Sequence, residues 1–231
     1  MDIGKAFTFV FEDEDWVVKV LIGMGILVAG IVLFWLVIPA ILAALLLGGY
    51  SLEITRRVIR GDDEVLPAWD DWGQLIINGL QVAIIGLVYA LPMIVVGVCA
   101  GVPMGWITEN SEGAAAFVSF VLGCFNFLWS IVLSLTLPAA IGKFAAEGEL
   151  ASAFRFGEVL ALIRDNLTTY VITAVMVWVT SIISGLGLLF CFIGVFFTGV
   201  YAELVNGHLY GQAYRKATGQ TSLAVPEEAI P

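Results

Sequence analysis

Residues 74–98 read QLIINGLQVAIIGLVYALPMIVVGV, a run of 25 positions without a single Asp, Glu, Lys or Arg. A helix of about 20 apolar residues crosses the hydrocarbon core of a bilayer, so this run predicts a membrane-spanning helix. Pro92 predicts a kink within it. Comparable apolar runs precede and follow this one, so the fold is decided by lipid as the solvent.

The composition of the whole chain points the same way. Hydrophobic residues make up 60% of the 231 positions, charged residues make up 13%, and the mean hydropathy is +0.99. Soluble globular domains are far less apolar. At about 20 residues per crossing, the chain has room for roughly six spans, short loops and little else.

The expected fold is therefore an all-α integral membrane protein with six transmembrane helices in three hairpins. Besides 74–98, the apolar runs predict helices at about 16–36, 39–60, 114–142, 165–184 and 188–214. The outer turns fall near 36–39, at 101–113 and at 185–187. A weak likeness at a shift of 150 residues, which matches Glu53 with Glu203, suggests that hairpins 1 and 3 are parallel repeats.

The remaining segments surround this membrane domain, which covers residues 16–215. Residues 1–15 form an aromatic-rich interfacial segment, and residues 216–231 form a polar tail that we expect to be disordered. Inside the domain, 61–73 is a polar inner loop, and 143–164 is an inner amphipathic segment expected to be one surface helix.

The basic residues fix the orientation of this topology. All ten fall on one side of it: Lys5, Lys19, Arg56, Arg57, Arg60, Lys143, Arg155, Arg164, Arg215 and Lys216. The positive-inside rule then predicts a multi-pass protein of the cytoplasmic membrane with both termini in the cytoplasm. The net charge of −10 argues against nucleic acid as a partner, and it makes cations or basic protein segments the expected visitors to the inner face.

One stretch carries a resemblance to a known family. It runs from Gly49-Tyr50 through Arg56-Arg57-Val58-Ile59-Arg60-Gly61 to Leu66-Pro67-Ala68-Trp69-Asp70-Asp71-Trp72-Gly73. With the later Gly207-His208-Leu209-Tyr210-Gly211-Gln212, it resembles a prokaryotic membrane family classed as a domain of unknown function. The resemblance implies a multi-spanning prokaryotic membrane protein, and it brings no activity, ligand or catalytic residue with it.

The inner loop contains the most distinctive local pattern. The structural interpretation, which we favour, anchors the tryptophans at the lipid headgroups and uses an Asp to cap the next helix. The functional interpretation makes the loop a cation-binding or partner-docking element. Its residues are Asp62, Asp63, Glu64, Trp69, Asp70, Asp71 and Trp72, with Arg56, Arg57 and Arg60 as ion-pair partners.

Two carboxylates lie deeper than the loop charges. Glu53 and Glu203 each precede the inner end of a predicted helix by about two turns, where charged groups usually face a watery cavity or the bundle interior. They are candidates for lining a polar vestibule. The alternatives are an ion pair of Glu53 with Arg56 or Arg57, and a Glu203 side chain that reaches the membrane interface by itself.

Two helix faces carry small residues at a spacing of four. They are Ala40, Ala44 and Gly48 on the second helix, and Gly194, Thr198 and Ala202 on the sixth. Such faces let helix backbones approach closely in lipid. The contacts could be made within one chain or between subunits, and the sequence leaves both open.

The chain shows none of the sequence motifs of hydrolases, nucleotide-binding proteins or zinc enzymes. Cys99, Cys124 and Cys191 lie in apolar surroundings and are expected to be small buried hydrophobes. We therefore expect no enzyme, no cofactor and no confident metal site. The expected function is a homo-oligomeric channel or transport-like assembly in contact with membrane lipid. The alternative is an accessory or scaffold subunit that docks another membrane or cytoplasmic protein through the inner loop and the 143–164 segment.

Overall fold

The computed structural model describes residues 2–32, 38–189 and 193–219. Within these ranges the chain forms helices and no strand, which confirms the all-α prediction. The α-helices are α1 (Ile3–Glu12), α2 (Trp16–Val32), α3 (Ile38–Arg60), α4 (Trp72–Asn110), α5 (Glu112–Glu147), α6 (Phe156–Asp165), α7 (Leu167–Leu186) and α8 (Ile193–Ala217). Short 3₁₀ turns at Leu150–Phe154 and Gly187–Leu189 complete the chain.

Among the described residues, three helical segments are long and apolar enough to cross a membrane. They are Trp72–Gly101, Glu112–Glu147 and Leu167–Leu189. The protein is therefore a membrane protein, whereas the count of six crossings stays a prediction. Positions 36 and 37 of the expected turn at 36–39 lie outside the described residues, as do Cys191 and positions 220–231 of the tail, whereas positions 38 and 39 belong to α3.

Helix α3 lies at the centre of the bundle, in contact with α2, α4, α5 and α8. It crosses α4 where glycines leave no room for a side chain. A Cβ atom on Gly49 would overlap the carbonyl oxygen of Leu75, and one on Gly79 would overlap the carbonyl group of Leu45. In lipid, close backbone contact of this kind is a principal source of helix association.

The opposite side of α3 packs against α8 in the same way. A Cβ atom on Gly207 would lie 2.6 Å from the carbonyl oxygen of Ser51. The hydroxyl of Thr55, which is fully buried, donates to the carbonyl oxygen of Gly207 at 2.9 Å. Helix α3 is thus held between two glycine-lined neighbours.

The predicted outer loop at 101–113 is wrong. Helix α4 continues to Asn110, α5 begins at Glu112, and Ser111 joins them. The N–H of Ser111 donates to the carbonyl oxygen of Ile107 at 2.9 Å, and its hydroxyl accepts from the N–H of Ala114. Proline interrupts a helix in water, but long apolar helices tolerate it in membrane proteins, and α4 runs through both Pro92 and Pro103.

The prediction of one surface helix over 143–164 is also wrong. Helix α5 extends to Glu147 and ends where Gly148 adopts a positive φ of 74°, a conformation that glycine takes without strain. The 3₁₀ turn follows, and the amphipathic helix is α6 alone. The predicted interfacial segment forms α1, and one of its faces packs on the protein, since Ala6 and Val10 are fully buried.

Gly79→Ala tests the close crossing of α3 and α4. The added methyl group meets backbone, which cannot move aside, so we expect a loss of at least about 1–3 kcal/mol in the free energy of unfolding. Gly86→Ala, also on α4, is the matched control, because a Cβ atom there meets nothing within 4 Å. Unfolding in detergent should leave the control unchanged or slightly stabilised. Equal effects of the two substitutions would contradict the crossing.

Candidate functional site

The inner loop between α3 and α4 folds back onto the bundle through its backbone carbonyl groups. The hydroxyl of Tyr50 donates to the carbonyl oxygen of Pro67 at 2.7 Å, and the ammonium of Lys19 donates to that of Leu66 at 3.3 Å. The Leu66 side chain is buried. The loop is therefore part of the packed structure.

The two tryptophans of the loop have different surroundings. Trp69 stacks on Tyr50 with ring centroids 4.1 Å apart, and its indole N–H donates to the carbonyl oxygen of Lys19 at 3.0 Å. Trp72 contacts the edge of this pair and is 44% exposed. Asp71 accepts the N–H of Gln74 at 3.0 Å and caps α4, as predicted. Trp69 and Asp71 thus have structural contacts.

The other acidic residues of the loop remain at the surface. Asp62 pairs with Arg60 at 2.9 Å, whereas Asp63, Glu64 and Asp70 have exposed side chains. In the part of the chain that the structure describes, no three His, Cys, Asp or Glu side chains are grouped so that they could hold a metal ion. The exposed carboxylates are therefore spread along the loop.

Glu53 lies at the centre of an ion-pair cluster at the end of α3. Its carboxylate is 3.7 Å from Arg56, 3.6 Å from Arg57 and 3.2 Å from Arg60. These are the intrahelical pairs expected at spacings of three and four, with one pair more. The charge of Glu53 is compensated within α3.

Glu203 on α8 has no such compensation, since no ion pair to it is found within the described residues. Its side chain is partly buried. The hydroxyl of Ser51 on α3 donates to its backbone carbonyl oxygen at 3.2 Å. The supposed repeat therefore places its two matched carboxylates in different electrostatic settings.

Helix α7 carries buried hydroxyl groups along one face, and one of them contacts α8 near Glu203. On α7, the side chains of Thr169, Thr173 and Thr180 are 5%, 0% and 1% exposed and follow the spacing of one helix face. The hydroxyl of Thr180 donates to the amide oxygen of Asn206, three residues after Glu203, at 2.7 Å. We call this region between α3, α7 and α8 the polar seam. Sequence analysis missed it, although the spacing of the threonines was visible.

A cleft of about 910 Å³ opens at the end of the bundle that carries Arg60, Arg215 and Lys216, which we call the basic end. It lies between α1, the end of α3, the inner loop and the end of α8. Its charged lining consists of Asp2, Lys5, Glu12, Asp13, Arg60, Asp62, Asp63, Glu64, Arg215 and Lys216. His208, which is only 3% exposed, also lines the cleft. Its ring stacks on that of Phe9, with the ring centroids 4.4 Å apart. The cleft thus gathers Asp62, Asp63 and Glu64 of the predicted loop acids, whereas Asp70, Asp71, Glu53 and Glu203 are not part of its lining.

Lys143, one turn before the end of α5, pairs with α6. The ammonium of Lys143, 9% exposed, lies 2.7 Å from Glu147 and 2.6 Å from Glu158. The hydrogen bond from Lys143 holds the pKa of the Glu158 carboxyl below its usual range. Phe156 and Leu160 remain exposed on the other side of α6.

The small-residue faces take part in packing within the chain where the structure describes them. Gly48 approaches Gly79 on α4, Ala202 is buried, and the hydroxyl of Thr198 donates to the carbonyl oxygen of Ser184 on α7 at 3.0 Å. Ala44 remains exposed, and the side chain of Ala40 lies outside the description. The described contacts of these faces are therefore made within one chain, and they give no evidence on contacts between subunits.

The model of a family described as a protein of unknown function (DUF4013) matches residues 32–193 of the chain. The chain belongs to the DUF4013 family. The match covers α3 to α7, including the central helix and the inner loop. No curated protein and no solved structure matches the chain.

Trp69→Ala tests the structural contacts of the inner loop. Removing the indole leaves Tyr50 without its stacked partner, so we expect a loss of about 3 kcal/mol in the free energy of unfolding. Trp72→Ala is the matched control and should cost far less, because Trp72 is 44% exposed. Thermal unfolding in detergent measures both. Similar losses for the two variants would contradict the assignment.

The ion pair of Glu158 predicts a pH dependence. Because its pKa is lowered in the folded state, its contribution to stability is present above the unfolded-state pKa and is lost as the pH falls through the folded-state pKa. Glu158→Gln should therefore flatten the loss of stability below about pH 4.5. Glu149→Gln, on a neighbouring exposed carboxylate, serves as the control. An equal loss of stability on acidification in wild type and in Glu158→Gln would count against the pair.

Proposed function

We propose that this DUF4013 protein is a non-enzymatic membrane protein that assembles from several copies and provides a transport-like path for cations. In this proposal, the carboxylate of Glu203 is the group that the cation meets inside the membrane domain. The supporting observation is that this partly buried carboxylate has no ion-pair partner among the described residues and borders the polar seam.

The energetics of a carboxylate at such a position favour a cation as its partner. An ionised group removed from water is costly unless an opposite charge or a set of hydrogen bonds compensates it. Glu53 obtains this compensation from three arginines on its own helix. Glu203 has a hydrogen bond with Ser51 but no ion-pair partner among the described residues, so a proton or a metal cation is the natural source of the missing positive charge.

The excess of acidic side chains in the cleft at the basic end is compatible with cation entry. Six acidic and four basic side chains line the cleft at this end. Two of the acids, Asp13 and Asp62, pair with Lys19 and Arg60 at 2.6 and 2.9 Å, while Asp63 and Glu64 stay exposed. Rings and rims of exposed carboxylates are a common means of concentrating cations at a pore entrance.

Glu203→Gln tests this function in liposomes loaded with a fluorescent indicator for K⁺ or Na⁺. The amide keeps the size of the side chain and removes its charge, so we expect cation flux to fall about tenfold or more. Glu109→Gln, an exposed carboxylate at the far end of α4, is the control and should leave the flux unchanged. Unchanged flux in Glu203→Gln would refute the role of the carboxylate.

The cleft supports a second candidate, an accessory subunit that docks a basic segment of another protein. A volume of about 910 Å³ is ample for several side chains of a partner. A photo-cross-linker placed at Asp63 should capture one defined partner in native membranes. Adding Glu64→Lys should abolish the capture through charge repulsion. The candidate is rejected if the captured product does not respond to this reversal.

A further inference from the structure

The far part of the α4–α5 pair is mostly exposed, and it contacts the rest of the chain at its base, where Phe127 packs on Trp178 of α7 and Trp129 donates to the carbonyl oxygen of Tyr89. We call residues 91–130 the distal hairpin. Its tip is Ser111, at the end of the bundle opposite the basic end. On α5 the side chains turned toward α4 are Ala115, Val118, Leu122, Phe125 and Trp129, which are buried or half-buried. Most other positions of the distal hairpin are exposed. Apolar side chains there can face lipid without cost.

Polar side chains on this surface are different. Asn126 is exposed and lies near the middle of the candidate span Glu112–Glu147. Its amide N–H donates to the carbonyl oxygen of Leu122 at 2.9 Å, and its amide oxygen accepts no hydrogen bond from the described residues. Ser119, seven residues earlier and therefore on the same face of α5, is also exposed. An amide oxygen left in hydrocarbon without a donor is costly, so this face is expected to be covered.

The glycines of distal α4 support the same conclusion from a different observation. A Cβ atom on Gly97, Gly101 or Gly105 would meet nothing within 4 Å. In the other half of the helix, Gly79 has backbone of α3 against it. Glycines four residues apart let a second backbone approach. In distal α4 no backbone of the described residues approaches these glycines in this way.

The glycines and Asn126 lie on the same side of the distal hairpin. At about 100° per residue, Gly101 is turned by about 100° from the half-buried Ala100. Asn126 is turned by about 20–100° from the residues that face α4. Both rotations follow the chain direction. Because the helices run antiparallel, the two rotations lead to one common side. Gly123 and Ser119 share the Asn126 stripe.

We propose that this distal face binds the same face of a second copy of the chain around a two-fold axis along the membrane normal. The proposal rests on the proposed assembly from several copies and names its interface. Copies with the same orientation in a membrane can pair in this way only around such an axis. Asn126 then meets Asn126, and the amide is self-complementary, because it offers both a donor and an acceptor.

The available area is sufficient for such a pair. Two helices of about 20 residues each, about 30 Å long and 10 Å wide, present about 600 Å² per copy. The two copies together would bury about 1,200 Å², which is the lower end of the range for specific interfaces. A lipid molecule could cover the apolar part of this face, but it has no donor to offer the Asn126 oxygen at this depth.

Disulfide formation tests the interface in the full-length protein in native membranes. Cys99, Cys124 and Cys191 are first replaced by Ala. In that background, oxidation of Asn126→Cys should give a covalent dimer, because residues at a two-fold axis lie within disulfide distance. Leu128→Cys, two residues on and 62% exposed in the native protein on the other side of α5, is the matched control and should stay monomeric.

A second pair of variants separates this inference from the proposed function. Asn126→Leu combined with Gly101→Leu should weaken dimerisation about tenfold or more in detergent, measured by mass, with no clash inside the monomer. Cross-linking of Leu128→Cys as fast as Asn126→Cys, or an unchanged dimer in the double variant, overturns the interface. A monomeric double variant with full cation flux supports the interface and refutes the need for assembly.

Discussion

The close backbone contact of α3 with α4 and α8 is the constraint on which the other features of this membrane protein depend. Lipid offers no hydrophobic force to bring helices together, so packing must come from fitted surfaces. Gly49 and Gly79 remove side chains from one crossing, and Gly207 does so from the other. Because α3 is fixed on both sides, its arginine-rich end and the loop after it have defined positions.

The polar groups of the protein follow from this arrangement. Close approach of α3 and α8 brings the Ser51 hydroxyl to the backbone of Glu203, and α7 adds its threonines beside Asn206. The same α3 carries Glu53 among its arginines, where the charge is compensated locally. One carboxylate is thus paired within α3, whereas the other has no ion-pair partner among the described residues. The distal hairpin lies beyond this packed region, and a Cβ atom on Gly97, Gly101 or Gly105 would meet nothing within 4 Å.

Local patterns in the sequence predicted much of the fold. Apolar runs predicted helices, and the Trp-Asp-Asp-Trp segment predicted the Asp71 cap. The outer loop at 101–113 was wrong because proline and glycine were read by the rules of aqueous helices, which a membrane relaxes. The site was less accessible. The stack of Trp69 on Tyr50 and the cleft beside His208 join residues distant in sequence, and no local pattern reports which glycines meet a partner.

We propose that Glu203 borders the polar seam and that water reaches its carboxylate. Thiol labelling tests it directly, in a background without native cysteines and with a small reagent that does not cross membranes. Glu203→Cys should react from the side that carries the arginines of α3, and Val205→Cys, fully buried on the same helix, should not. Thiolates rather than thiols react, so labelling requires water at the site. Glu203→Cys as inert as Val205→Cys in the folded protein would contradict the account.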